Sequence, residues 1–93
     1  MPDKIKASAI AAEIGTKYGF DITTVLLIVD IIIKLYQLYD FCDVEPGLNT
    51  RKRAIKVSSR IVLGRKLYNK HGEDIVNELS QYTLKELKNV DPS

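Results

Sequence analysis

Ninety-three residues make one domain with a small core, and a domain of that size often completes its core with a second copy. Hydrophobic residues at 45% and charged residues at 28% exclude a disordered chain. The formal net charge of +2 conceals a segregation: residues 51–71 carry eight basic side chains and no acidic one, and the segments on either side are each net −3.

The first segment, MPDKIKASAIAAEIG, lacks a strongly apolar run and carries Glu13, so it does not read as a cleaved targeting peptide. The spacing predicts a first helix over about residues 4–18, with Ala7, Ile10, Ala11, Ile14 and Tyr18 on one face. Gly19 suits the position just past its end, where a left-handed backbone is needed. Phe20 can pack back on that end, and Asp21 can cap the next helix. Tyr18-Gly19-Phe20-Asp21 therefore reads as a tight turn between two helices.

The second helix, about residues 22–41, is apolar nearly all round. With residues about 100° apart, Thr23, Asp30, Lys34 and Gln37 fall on one stripe roughly 60° wide. A helix that apolar is covered on most sides by neighbours or by a membrane. The run is close to the minimum for a span, but Asp30 and Lys34 lie near its middle, so a core or interface helix is the expectation and a membrane span is not. Three short neighbours are too few to cover about 300° of apolar surface. The expectation is a homo-oligomer, a dimer, meeting through Leu26, Val29, Ile33 and Tyr36.

Residues 42–50 form a loop with a Pro46-Gly47 turn, and Asn49 or Thr50 can cap a helix starting after it. This third helix is predicted over about residues 51–70. Ala54, Val57, Ser58, Ile61 and Tyr68 are placed on its buried face. Lys52, Arg53, Lys56, Arg60, Lys66 and Lys70 are placed on the opposite face, with Ser59, Leu63 and Leu67 on that side. Gly72 ends this helix, with His71 at its negative pole. A fourth helix, about residues 73–81, buries Ile75, Val76, Leu79 and Tyr82. Thr83 and Glu86 fit a capping box opening a short fifth helix to about residue 90. The expected fold is all-α: a compact bundle of four helices plus a short C-terminal helix around the central apolar helix, one domain over residues 1–93.

The hairpin IGTKYGFDITTVLLIVDIII, residues 14–33, resembles the N-terminal helical hairpin of HU/IHF-type DNA-bending proteins at Ile14, Lys17, Gly19, Phe20, Asp21, Val25, Ile28, Val29 and Asp30. The resemblance implies a helical dimer core. It covers about twenty residues, and nothing after Phe41 matches the family's DNA-binding strands. The spacing of Ala11 and Gly15 also suits the first helix of a helix-turn-helix, but the helix after it is too apolar to read DNA. Any reader of nucleic acid is the third helix.

Signals for catalysis are weak. His71 is the one histidine and Cys42 the one cysteine, so no internal disulfide or cysteine metal cluster forms, and a reducing, cytoplasmic setting fits. Ser58 and Ser59 lack a nucleophile-elbow or Ser-x-x-Lys context, and there is no glycine-rich phosphate loop. No enzyme, metal or cofactor is expected. The basic face is the strongest functional signal, because six Lys and Arg side chains on one side of a helix neutralise phosphates. It predicts a small non-enzymatic nucleic-acid-binding accessory protein using Lys52, Arg53, Lys56, Arg60, Lys66 and Lys70. The plainer reading is a solvated face paired with Asp40, Asp43, Glu45, Glu73, Asp74 and Glu78. It goes with an oligomeric adaptor or structural subunit, of a phage or mobile-element assembly for example, working by protein contacts.

Overall fold

The computed structural model describes residues 4–39 and 46–88, and every element in them is helical. α1, Lys4–Tyr18, buries Ala7, Ile10, Ala11 and Ile14, with Tyr18 half-buried at its end. That is the stripe its spacing predicts. Gly19 takes a φ of 70°, and the Phe20 N–H donates back to the Gly15 carbonyl at 2.9 Å, closing the helix end. The Asp21 carboxylate accepts from the Thr24 N–H at 2.8 Å and opens α2, Ile22–Leu38. That bond, with a second from the Thr24 side chain, holds the Asp21 carboxyl below its ordinary range. A Cβ on Gly15 would run into the Val25 side chain, so this glycine lets α1 and α2 approach closely.

α2 is the core of the molecule. Ile28, Ile31, Ile32 and Leu35 are fully enclosed, each burial stabilising the fold by about 1.5–3 kcal/mol. Val25, Leu27 and Val29 pack against the same core from its margin. The chain thus covers more of this helix than a count of helices suggests. The reason is that α1 and α3 both lie along it. The helix closes with the Tyr39 N–H donating to the Leu35 carbonyl at 3.1 Å; its predicted last residues, Asp40 and Phe41, and Cys42, fall outside the described residues. Among the described residues, no helix is long and apolar enough to cross a membrane.

α3, Leu48–Leu67, departs from expectation in three ways. Its N-cap is Gly47, next to Pro46, so Asn49 and Thr50 lie inside its first turn rather than capping it. Its buried face is Ala54, Ile55, Ser58, Ser59 and Leu63, shifted by roughly 100°, one residue, from the predicted one. Val57 and Ile61 are exposed instead, and Ser59 and Leu63 leave the basic side. The helix carries two apolar arcs, and packing against α2 selected the one with Ile55 and Leu63. Third, the helix is broken at Gly64, where φ is 74° and ψ 170°, a conformation essentially restricted to glycine.

The predicted stop at Gly72 does not occur. A π-type turn, Tyr68–Gly72, leads straight into α4, Glu73–Leu79, and Gly72 itself is helical. The expected count of four helices plus a short one is therefore not matched: α1, α2 and one long run kinked at Gly64 make the body. α4 stops at Leu79, two residues early, where the Ser80 hydroxyl donates to the Asn77 carbonyl at 2.8 Å. Ile75, Val76 and Leu79 are buried as predicted. The Thr83 hydroxyl accepts from the Glu86 N–H at 2.9 Å and opens α5, Leu84–Lys88, whose Leu84 and Leu87 are buried. No strand occurs among the described residues, so nothing in them corresponds to the DNA-binding strands of the HU/IHF type.

Candidate functional site

The break at Gly64 sends the chain back along α3. At the far end of the run, the Arg51 guanidinium near the start of α3 donates to the Tyr82 carbonyl beyond α4 at 3.0 Å. At the near end, the Arg60 guanidinium lies 5.2 Å from the centre of the Tyr68 ring. Between these two ties runs an open groove of about 680 Å³. One wall is α3, with Lys52, Arg53, Lys56 and Arg60. The other is the π turn and α4, with Tyr68, Asn69, Glu73, Val76 and Asn77.

Local structure explains the placement. Lys52, Lys56 and Arg60 recur every four residues, and Arg53 lies one position on, so the four share a face beside the buried arc of α3. All four are exposed. Across the groove, Tyr68 lies over Gly72: a Cβ there would sit 2.6 Å from one ring carbon and 2.8 Å from another, so glycine lets the ring lie flat on the turn. The ring in turn holds the Arg60 guanidinium by a cation–π contact. A smaller hollow of about 280 Å³, bounded by Arg60, Gly64, Arg65, Tyr68 and Asn69, continues past the ring.

Apart from the Arg60 contact with Tyr68, the cations of this groove are not consumed by the fold. Among the described residues, Lys52, Arg53, Lys56 and Arg60 make no ion pair, although Glu73 shares the groove. Glu78, one of the acids available to neutralise them, is committed elsewhere. Its carboxylate accepts from the Lys17 ammonium at 2.6 Å and from the Tyr18 hydroxyl at 2.7 Å, locking α1 to α4. These two hydrogen bonds hold the Glu78 carboxyl below its ordinary range, and they raise the Lys17 and Tyr18 values. Asp40, Asp43 and Glu45 lie outside the described residues.

Four of the six basic residues singled out from the sequence therefore come together. Lys66 and Lys70 are exposed but do not line the groove, because they follow the break and no longer share the register of Lys52 to Arg60. Leu63, expected among the basic residues, is 6% exposed and faces the core. Tyr68 packs half-buried against the core, as its spacing predicts, but also lines this groove, and Glu73, an acid the sequence offers to the basic face, stands in the opposite wall; Asn69 and Asn77 carry no signal of their own in the sequence. The sign that the chain turns back to form this wall is Gly64, a lone glycine inside a helical pattern. His71 does not cap a helix end; it packs edge-on against Phe20, with ring centres 4.8 Å apart, and Phe20 stacks on Tyr18 at 5.5 Å.

The second candidate surface is on α2. Leu26 is 58% exposed and Ile22 70%, and Val29, Ile33 and Tyr36 are half-buried along the same stripe; Leu38, 45% exposed, lies on a different side of the helix. Among the described residues, no three of the types His, Cys, Asp and Glu lie close enough together to hold a metal ion. No protein-family model matches this chain, and no curated protein or solved structure matches it, so any function is read from the chemistry of these two surfaces.

Proposed function

We propose that this protein is a small, non-enzymatic, cytoplasmic nucleic-acid-binding accessory protein whose binding surface is the groove between α3 and α4. The observation that carries this reading is the gathering of Lys52, Arg53, Lys56 and Arg60 on one wall, free of ion pairs among the described residues. Cations left in that state are surrounded by counterions that a polyphosphate displaces, so binding gains from their release. Four phosphate contacts give a slope of log affinity against log salt of roughly −3. Fluorescence anisotropy against labelled nucleic acid across a salt series tests it. Lys56→Glu with Arg60→Glu is expected to abolish binding at about 50 mM salt. Unchanged binding by that variant refutes the reading.

A second reading has its own observation, the exposed Ile22 and Leu26 on α2. In it the chain is an oligomeric adaptor or subunit of a larger assembly, a phage or mobile-element one for example, and a second copy covers Leu26, Val29, Ile33 and Tyr36. Sedimentation at micromolar concentration tests this, and a stable monomer refutes it.

A further inference from the structure

We propose that the groove takes one unpaired strand of nucleic acid rather than a duplex, phosphates along the α3 wall and bases toward the α4 wall; this rests on the nucleic-acid reading above. The two walls differ in chemistry as the two edges of a strand do. The α3 wall offers four cations and nothing anionic. The opposite wall offers the Tyr68 ring, the amides of Asn69 and Asn77, the Val76 side chain and the Glu73 carboxylate. Amides and a carboxylate read the hydrogen-bonding edges of bases, which only an unstacked strand presents freely.

A duplex meets this surface badly for two reasons. It brings a second track of phosphates, and on the α4 side that track meets Glu73, with Asp74 beside it, both exposed. Like charges there oppose binding. In addition, a helix that reads the major groove must project into a cleft about 12 Å wide. The cations of α3 instead face a hollow flanked by α4, so α3 does not project as such a reading helix must.

Arg60 adds a platform. Its guanidinium carbon lies 5.2 Å from the centre of the Tyr68 ring, a cation–π contact that favours this placement before anything binds. A guanidinium plane stacks on a base as well as bonding to a phosphate. The hollow of about 280 Å³ past the ring shares Arg60, Tyr68 and Asn69 with the main groove and adds Arg65, so the path continues in the direction a strand would run.

The test is equilibrium anisotropy at about 50 mM salt. The probes are a fluorescein-labelled mixed-sequence strand of about 12 nucleotides, made as DNA and as RNA, and the DNA duplex of that sequence. At least one strand is expected to bind about tenfold tighter than the duplex, and the tighter arm identifies the strand. Glu73→Gln is expected to narrow the gap by strengthening duplex binding. Arg60→Lys, which keeps the charge and loses the plane, is expected to weaken strand binding several-fold and leave duplex binding unchanged. Duplex binding as tight as that of both strands overturns the strand preference and leaves the nucleic-acid reading standing. Failure of all three probes to bind overturns both.

Discussion

Gly64→Ala isolates the backbone break that creates the groove. At φ 74° and ψ 170° an L-residue is strained. A Cβ built there meets nothing within 4 Å, so the substitution adds no steric clash and its effect is backbone strain alone. Such strain costs about 1–3 kcal/mol. Against it, alanine reduces the freedom of the unfolded chain and returns about 0.4–1 kcal/mol. The expected net loss is about 1–2 kcal/mol, which lowers Tm by roughly 4–15 °C in a domain of this size. Gly47→Ala is the control. Its φ of −64° suits any residue and its Cβ also meets nothing, and the gain of about 0.4–1 kcal/mol from the unfolded chain is offset by alanine's poorer fit at this N-cap, so it should be near neutral. Thermal and urea unfolding followed by far-ultraviolet circular dichroism measure both. D-alanine at position 64, introduced by chemical ligation, prefers positive φ and should restore stability. If Gly64→Ala is as stable as Gly47→Ala, the break is not a fixed part of the fold. The two walls of the groove are then not held together in the way described.

Four further outcomes are expected. The Glu78 carboxyl is held below its ordinary value of 4.5, so its contribution to stability is present above that pH and is lost as pH falls through the folded value; Glu78→Gln should flatten the acid limb of a Tm-against-pH curve. Lys17 and Tyr18 are raised above 10.5 and 10.0, so their contribution is complete below those values and lost as pH rises through the folded ones; Tyr18→Phe should weaken the alkaline dependence. Gly72→Ala drives a methyl into the Tyr68 ring and should cost about 1–3 kcal/mol in urea unfolding, with weaker nucleic-acid binding as Arg60 loses its support. Among the described residues, the buried Ser58 and Ser59 hydroxyls have no hydrogen-bond partner, so Ser58→Ala should stabilise the fold by about 1 kcal/mol; a loss of stability would show that the hydroxyl is bonded.

The helical class, the α1–α2 turn and the buried stripes of α1 and α4 arise from local chemistry. Gly19 and Asp21 act within a few residues of themselves, so their roles are legible before any neighbour is known. The apolar excess of α2 likewise announces a core helix. Periodicity does not choose between the two apolar arcs of α3, since Val57 and Ile61 repeat as regularly as Ile55, Ser59 and Leu63. Only packing against α2 decided that, by enclosing Ile55 and Leu63 and leaving Val57 and Ile61 outside. The kink was equally a tertiary decision. A glycine inside a helical run either continues it or breaks it, and the choice depends on what the returning segment gains by packing. Here it gained the burial of Ile75, Val76 and Leu79 and the tie from Arg51 to Tyr82. The sequence by itself determined that residues 51–71 would be a helical, cationic stretch. Tertiary structure decided that four of those cations face a polar wall and that Lys66 and Lys70, beyond the break, do not.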